Sequence, residues 1–165
     1  IIEFSQKTFG ENVLLDYSNF NVFINKEKVQ QKGLELQKVK QQLKEFLLTQ
    51  NFISNVFTEE EVQFSGSNNQ LLQIIANGYD PKQNGELVLL FKPGFMEYSA
   101  TGTTHGSPYS YDTHVPCLFY GWKIKKGESF HKKTITQIAP TLAQKLKITM
   151  PNGTQSQVLE EVLNK

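Results

Sequence analysis

Arginine is absent from this 165-residue chain, whose 17 basic residues are all lysines. Arginine carries the planar fork of donors that usually clamps a phosphate or carboxylate at two points, so anions must be bound here by lysine, backbone amides, a metal or groups from elsewhere. The 16 acidic residues leave a net charge of only +1. A balance so close to zero gives no field that would steer the protein to nucleic acid or to an acidic membrane surface, and we expect neither as a partner.

Cysteine is also scarce, since Cys117 is the single one in the chain. One cysteine excludes an internal disulfide framework. Because Cys117 lies in the apolar run at residues 115–120, the sequence favours a small buried hydrophobe over a reactive thiol.

Long apolar runs and targeting signals are missing as well. No stretch of about 18 apolar residues is present, so no spanning helix is predicted, and no signal-peptide pattern opens the chain. The chain starts on Ile1 rather than Met, in a segment of strand-like composition. We expect a processed protein or a piece of a larger one.

Residues 1–92 show an alternating pattern of strands and helices. Apolar residues at 36, 39, 43, 46 and 47 recur at spacings of three and four, which predicts an amphipathic helix of about four turns with Lys40 on its solvated face. The elements predicted before and after it are a strand or hairpin at 13–25 with a turn at 16–19, a short helix at 26–33 and a strand at Ile53–Thr58. A short helix capped by Thr58, a second helix at 71–77 and a strand at 86–92 that is covered on both faces complete the set. This order predicts a small α+β unit of the split βαβ type.

Residues 93–165 have the pattern of an edge portion of a larger sheet. The run at 115–120 predicts a buried strand, residues 127–134 a turn or edge strand, and Ile138–Leu146 a helix with Pro140 in its first turn. We therefore divide the chain into a domain at 1–92 and a second at 93–165.

The polar loop at residues 100–114 is where function is most strongly indicated. It holds two of the three histidines, His105 and His114, together with Asp112. Imidazole and carboxylate are ligand types for tetrahedral zinc, but the other histidine and aspartates are scattered and show no metal-binding spacing. The residues alone therefore predict an incomplete site, and a surface or capping role for each histidine stays open.

Two stretches, GTTHGSPYSYDTHVPCLFYGWKIKKGE and TQIAPTLAQKLKITMPNG, resemble the carboxyl-terminal segment of the alkaline phosphatase superfamily. The resemblance is to the branch of bacterial phosphate-irrepressible alkaline phosphatases and type I phosphodiesterases or nucleotide pyrophosphatases. It is specific from about residue 101 to 153 and weaker through the preceding helix and strands. It implies a partial alkaline phosphatase-like α/β fold, with residues 1–92 as an insert-like unit.

The resemblance also implies a chemistry. Members of this family hydrolyse phosphate esters at a binuclear zinc site through a covalent Thr or Ser phospho-enzyme. The match of THGS makes His105 the implied zinc ligand, with His114 as the alternative. Thr104, Asp112 and Thr113 are implied to support the ligands.

The departures from the family pattern limit what this chain is expected to do. The nucleophile motif, the early metal-binding aspartate and an Asp-x-x-x-His motif are missing, so we expect no catalytic residue in this chain and no turnover by the chain alone. The resemblance implies a periplasmic or secreted parent protein. Two alternatives stay open: a non-catalytic α+β binding module within 13–92, and a phosphoglycerate mutase or sulfatase type of relative, of which the mutase type would favour manganese and His114.

Overall fold

The computed structural model of the protein describes residues 1–64, 69–97, 101 and 105–163. The chain forms two compact units, Ile1–Val115 and Pro116–Lys165. Among the described residues, no helix combines the length and the apolar content needed to cross a membrane.

The first unit contains a small sheet and most of the helices. Its elements are α1 Ile2–Phe9, β1 Leu14–Ser18, β2 Asn21–Ile24, α2 Lys26–Gln31, α3 Leu36–Leu48, β3 Ile53–Thr58, α4 Glu59–Gln63, α5 Gln70–Asn77, β4 Leu87–Phe91 and α6 Ser110–Thr113. The second unit has a 3-10 turn at Ile135–Gln137, α7 Ile138–Leu146 and α8 Glu160–Leu163.

The sheet has the strand order β1-β2-β4-β3, and every neighbouring pair is antiparallel. Both β2 and β3 run opposite to β4, so β2 and β3 are parallel to each other, with β4 between them. The connection from β2 to β3 contains α2 and α3. This is a split βαβ arrangement, and it confirms the α/β fold class and the unit predicted from the sequence.

The hairpin between β1 and β2 turns at Asn19 and Phe20, just after the predicted turn at 16–19. Both residues have positive φ, 48° and 62°. Two central residues with positive φ fit the right-handed twist of the flanking strands, and Asn adopts this conformation readily. Phe20 is unusual there, but its ring packs edge-on against Phe91 at 5.1 Å between centroids.

The core of the first unit lies between the sheet and α3. The predicted apolar stripe of α3 is confirmed, since Val39, Leu43 and Leu47 are all buried. The first four residues of β4 are buried too, as expected for a strand covered on both faces. The predicted capping box at the start of α4 is present, with Thr58 and Glu61 bonded reciprocally.

Two predictions in the first unit are wrong. The first residues have strand-like composition but form α1, where Phe4 stacks on Phe46 of α3 with ring centroids 4.1 Å apart. Lys40 does not lie on a solvated face, because its side chain is only 1% exposed. In both cases a contact with another element overrides the local pattern.

In the second unit the helix Ile138–Leu146 is confirmed, with Pro140 in its first turn. The buried strand predicted at residues 115–120 is wrong, because that run is irregular and almost entirely exposed. Cys117, predicted to be buried, is exposed with it. Residues 127–134 form no edge strand either. Neither run is among the four paired strands of the sheet, β1-β2-β4-β3, in the described part of the chain.

Candidate functional site

Residues 105–114 are fastened to the end of β4 by two tyrosines. Tyr109 Oη donates a hydrogen bond to the carbonyl oxygen of Phe91 at 2.7 Å. Tyr111 Oη accepts one from the N–H of Gly94 at 3.3 Å, and the two tyrosine rings stack with centroids 5.7 Å apart. Because Phe91 ends a strand whose other four residues are buried, these contacts tie the loop to the rigid part of the unit.

Inside this segment Asp112 closes a turn onto Ser107. Asp112 Oδ2 accepts hydrogen bonds from the N–H of Ser107 at 3.0 Å and from its hydroxyl group. Asp112 is the third residue of α6 and reaches back to the chain before the helix, as the acidic residue of a capping box does. Gly106, with φ 115°, leads into the turn, a backbone conformation that suits glycine. The turn therefore fixes Ser107, two residues after His105.

The two histidines predicted as ligands, His105 and His114, lie on either side of α6 in this loop. His105 and His114 are both exposed. The N–H of His114 donates to the carbonyl oxygen of Ser110 at 2.8 Å, which closes α6. Thr113 is exposed and its hydroxyl donates to the carbonyl oxygen of Tyr109 at 3.1 Å. Thr104 lies outside the described residues.

A complete metal centre does not fit the side chains at hand. Within residues 1–64, 69–97, 101 and 105–163, no three His, Cys, Asp or Glu side chains gather to hold a metal ion. One oxygen of Asp112 is already engaged by Ser107. A tetrahedral zinc needs three or four protein ligands, so the described residues do not complete such a site by themselves.

The strongest concentration of charge lies away from the loop, where α4 meets α2 and α3. Lys40 Nζ lies 2.8 Å from Glu59 and 2.6 Å from Glu60. Lys26 Nζ lies 3.0 Å from Glu86, whose other oxygen accepts the N–H of Ile24 at 2.7 Å. These groups pair with one another, so the cluster joins the helices to the sheet.

A cavity of about 500 Å³ in the first unit is lined mainly by aromatic and aliphatic side chains. Phe46, Phe52, Phe91 and Phe95 contribute rings to its wall. At the rim, Tyr17 Oη donates to the carboxylate of Glu97. Burial and the neighbouring Glu97 raise the pKa of Tyr17, so its hydroxyl keeps its proton at physiological pH.

The sequence interpretation missed Ser107, Tyr109 and Tyr111. Their role is to shape and fasten the loop. A signal was present in the acidic residue Asp112, which follows Ser107 by five positions within a run of turn-forming residues. The tyrosines gave no comparable signal, because their partners on Phe91 and Gly94 are backbone groups distant in sequence.

No family model matches the chain, but individual proteins do. Alkaline phosphatase PafA of Elizabethkingia meningoseptica is 32% identical over 161 residues, which cover 97% of this chain and 30% of that protein. A calcium-transporting ATPase of Myroides odoratus is 34% identical over 148 residues, covering 88% of this chain and 27% of that protein. Alkaline phosphatase PhoV of Synechococcus elongatus is 26% identical over 145 residues, covering 88% of this chain and 26% of that protein.

The crystal structure of wild-type alkaline phosphatase PafA is also similar. It matches with a TM-score of 0.88 and 32% sequence identity, over 98% of this chain and 31% of that one. The chain thus spans less than a third of the length of the relatives it matches. The sequence match and the structural match to PafA each span almost the whole of this chain, which belongs to the alkaline phosphatase superfamily.

Proposed function

We propose that this chain is the carboxyl-terminal part of a phosphate-ester hydrolase of the alkaline phosphatase type. The observation that carries the proposal is the match to PafA, 32% identical over 97% of this chain, because it includes the loop at 105–114. Since the match spans 30% of that protein, we assign the nucleophile and most metal ligands to other parts of a longer polypeptide. The chain's own contribution is a ligand, the loop that carries it and supporting scaffold.

His105 is the residue that we assign to metal binding. Its exposed imidazole is of a type that suits zinc, and it stands next to the turn that Asp112 and Ser107 close. The match of THGS to the family's ligand motif favours His105 over His114, whose N–H closes α6 on the carbonyl oxygen of Ser110. Thr104 and Thr113 are assigned supporting roles beside the ligand.

Zinc in such a site lowers the pKa of a bound nucleophile or stabilises charge on an oxygen. In the proposed enzyme the substrate is a phosphate ester, attacked by a Thr or Ser to give a covalent phospho-enzyme. What residues 105–114 do is narrower: Tyr109 and Tyr111 hold the loop on the sheet, and Asp112 closes the turn at Ser107 that follows His105. We propose a periplasmic or secreted location for the parent protein, as its resemblance implies.

Replacing each histidine singly in the longer polypeptide tests this assignment. We expect His105→Ala to reduce the bound zinc and to lower p-nitrophenyl phosphatase activity by more than the roughly 10–100-fold typical of residues that only support a ligand. His131→Ala is the matched control, since His131 is exposed and lies outside the loop. If only His114→Ala lost zinc, His114 and not His105 would be the ligand. If the protein bound manganese in place of zinc, the mutase type of relative would be favoured.

Assaying the 165-residue chain by itself is the complementary experiment. We expect no enzyme-like turnover of p-nitrophenyl phosphate with added zinc, because the described residues offer no group of three ligands. Turnover at enzymatic rates would contradict the proposal.

A binding module is a second candidate, favoured by the aromatic cavity in the first unit. Its wall of rings and its volume of about 500 Å³ suit a small apolar molecule. Indole titrated into the chain should then shift the NMR signals of Phe52 and Phe91, and alanine at His105 and His114 together should leave that binding unchanged. Absence of any shift at millimolar indole would remove this candidate.

A further inference from the structure

Three asparagines of the chain are followed directly by glycine, at positions 77–78, 84–85 and 152–153. In such a pair the backbone nitrogen of the glycine can attack the side-chain carbonyl carbon of the asparagine, because glycine has no Cβ to obstruct the approach. Asparagine is a thermolabile residue. The reaction needs a side-chain amide and a backbone nitrogen that are both free to move, and the three pairs differ in that respect.

The pair Asn84–Gly85 is held at both reacting groups. The side-chain amide of Asn84 donates a hydrogen bond to Asn21 Oδ1 at 3.2 Å, and its oxygen accepts one from the N–H of Asp80 at 2.8 Å. The N–H of Gly85 donates to the same oxygen of Asn21 at 3.2 Å, and Gly85 itself is buried. Attack at this pair therefore requires local opening of the first unit.

The pair Asn77–Gly78 at the end of α5 is held less firmly. The N–H of Gly78 donates to the carbonyl oxygen of Ile75 at 3.1 Å, and Asn77 Oδ1 accepts a hydrogen bond from Gln73 Nε2 at 3.3 Å. Both residues of the pair are exposed, and helix ends fray. The nitrogen of Gly78 is engaged, but a small movement releases it.

The pair Asn152–Gly153 is exposed and has neither restraint. It lies at the centre of a turn in which the N–H of Thr154 donates to the carbonyl oxygen of Pro151 at 3.3 Å. Within the described part of the chain, no hydrogen bond engages the side-chain amide of Asn152 or the N–H of Gly153. A Cβ built on Gly153 would meet nothing within 4 Å, so no neighbouring group crowds this nitrogen.

We propose that Asn152 is a site of self-modification, at which the chain loses ammonia and gains a carboxylate. The backbone nitrogen of Gly153 forms a bond to Cγ of Asn152, and its proton leaves with Nδ2 as ammonia when the Cγ–Nδ2 bond breaks. Water then opens the five-membered succinimide at either carbonyl carbon and leaves an aspartyl or an isoaspartyl residue at position 152. The new carboxylate is ionised at neutral pH and takes the net charge of the chain from +1 to zero.

This inference goes beyond the proposed function and does not depend on it, because it uses only the turn at residues 151–154. It also needs no enzyme and no cofactor, since water is the single other reactant. The product in which the backbone runs through the side-chain carbon of residue 152 is one carbon longer than a normal peptide. The protein should therefore exist in forms that differ in charge and in the backbone of this turn.

Incubation at mildly alkaline pH, followed by peptide mapping with mass spectrometry, tests the proposal in the 165-residue chain and in the longer polypeptide. We expect Asn152 to convert at least about tenfold faster than Asn84, since only Asn84 needs local opening first, with Asn77 between them. Electron-transfer fragmentation distinguishes the isoaspartyl from the aspartyl product, and formation of both indicates a succinimide. In urea, which releases the held pairs, the three rates should approach one another.

Asn152→Gln is the matched control, because it keeps a side-chain amide but would have to close a less favourable six-membered ring. It should abolish the fast conversion at position 152 and leave the slow conversions at Asn77 and Asn84 as in wild type. Conversion of Asn152 no faster than that of Asn84, in either form of the protein without urea, overturns the proposal. An aspartyl product alone, with no isoaspartyl form, would indicate direct hydrolysis and would overturn the attack by Gly153.

Discussion

Lys40 Nζ lies 2.6 Å from Glu60 Oε1, although the Lys40 side chain is only 1% exposed. The same ammonium group also bonds Glu59 at 2.8 Å. Burial opposes the charged form of Lys40, but the bonds to the two carboxylates outweigh it and raise the pKa of Lys40. A buried cation on α3 thus holds the first turn of α4 in place.

Lys40→Met should destabilise the chain by about 2–4 kcal/mol in urea unfolding followed by circular dichroism. Removing one partner of a buried pair typically costs about 3–5 kcal/mol, and the cost is smaller here because Glu59 and Glu60 reach solvent. The control is Lys38→Met, whose side chain is 78% exposed and bonds Glu35 at 2.8 Å. It should leave the urea midpoint close to that of wild type, because exposed ion pairs contribute little to stability. Equal effects of the two variants would contradict a structural role for the Lys40 pairs.

The pH dependence of stability should carry a contribution from Glu60. Burial alone would raise its pKa, but hydrogen bonds from Lys40 and Gln37 outweigh burial and lower the pKa of Glu60 from 4.5 to about 2. A folded pKa below the unfolded one means that the stabilisation is complete above the unfolded value and is lost as the pH falls toward the folded value. Glu60→Gln should therefore lose less stability than wild type between about pH 5 and pH 2.

Urea midpoints measured across that pH range check the contribution of Glu60. Glu27→Gln, an exposed carboxylate in the first turn of α2, serves as the control and should keep the wild-type slope. If the urea midpoint of Glu60→Gln fell with decreasing pH as steeply as that of wild type, the low pKa of Glu60 would not be coupled to folding.

Local signals explain which parts of the fold the sequence predicted. The stripe of α3 and the capping box of Thr58 and Glu61 depend on residues within four positions of one another, so they can be recognised in one sequence. The burial of Lys40 depends on carboxylates 19 and 20 positions away, and the sequence therefore misplaced it on a solvated face. The prediction of a buried strand at residues 115–120 was wrong for a related reason. A strand needs a partner strand, and the sequence pattern does not say where one is.

Some features of the candidate site could likewise be recognised in the sequence, and others could not. His105 and Asp112 were identified by residue type. The resemblance to a family then assigned His105 as the ligand and Asp112 as a supporting residue. The turn that joins Asp112 to Ser107 and the bond of Tyr109 to Phe91 became visible only in the folded chain. The role of His105 as a ligand stays a prediction.

Two glycines give a matched test of backbone packing. A Cβ at Gly85 would lie 2.3 Å from the carbonyl oxygen of Val22 in β2, whereas one at Gly127 would meet nothing within 4 Å. Gly85→Ala should destabilise the first unit by at least about 1–3 kcal/mol, the usual range for overpacking, because backbone must move. Gly127→Ala should be neutral or stabilising by up to about 1 kcal/mol through lower entropy of the unfolded chain.

Urea unfolding followed by circular dichroism compares the two glycine variants. The single tryptophan, Trp122, lies in the second unit, so its fluorescence separates an effect on that unit from one on the first. A Gly85→Ala variant as stable as wild type would show that β2 and β4 can separate locally at little cost.

Asp112→Ala should weaken zinc binding by the longer polypeptide about 10–100-fold, as loss of a residue that orients a ligand commonly does. The reason is that Asp112 holds Ser107, two residues from His105, through both the backbone N–H and the hydroxyl group. Asp112→Asn keeps an acceptor oxygen and should recover part of the affinity. Zinc affinity measured by competition with a chelator reports the difference.

Thr154→Val is the control for Asp112→Ala, because it removes an exposed hydrogen bond to the carbonyl oxygen of Pro151, outside the loop at 105–114, and leaves the turn at Ser107 intact. We expect its zinc affinity to stay within about threefold of wild type, since the lost bond is exposed and contributes little. A purely structural role for Asp112 would make Asp112→Ala lose stability without a selective loss of zinc. Wild-type zinc affinity in Asp112→Ala, alongside a loss in His105→Ala, would show that the imidazole is aimed by other contacts.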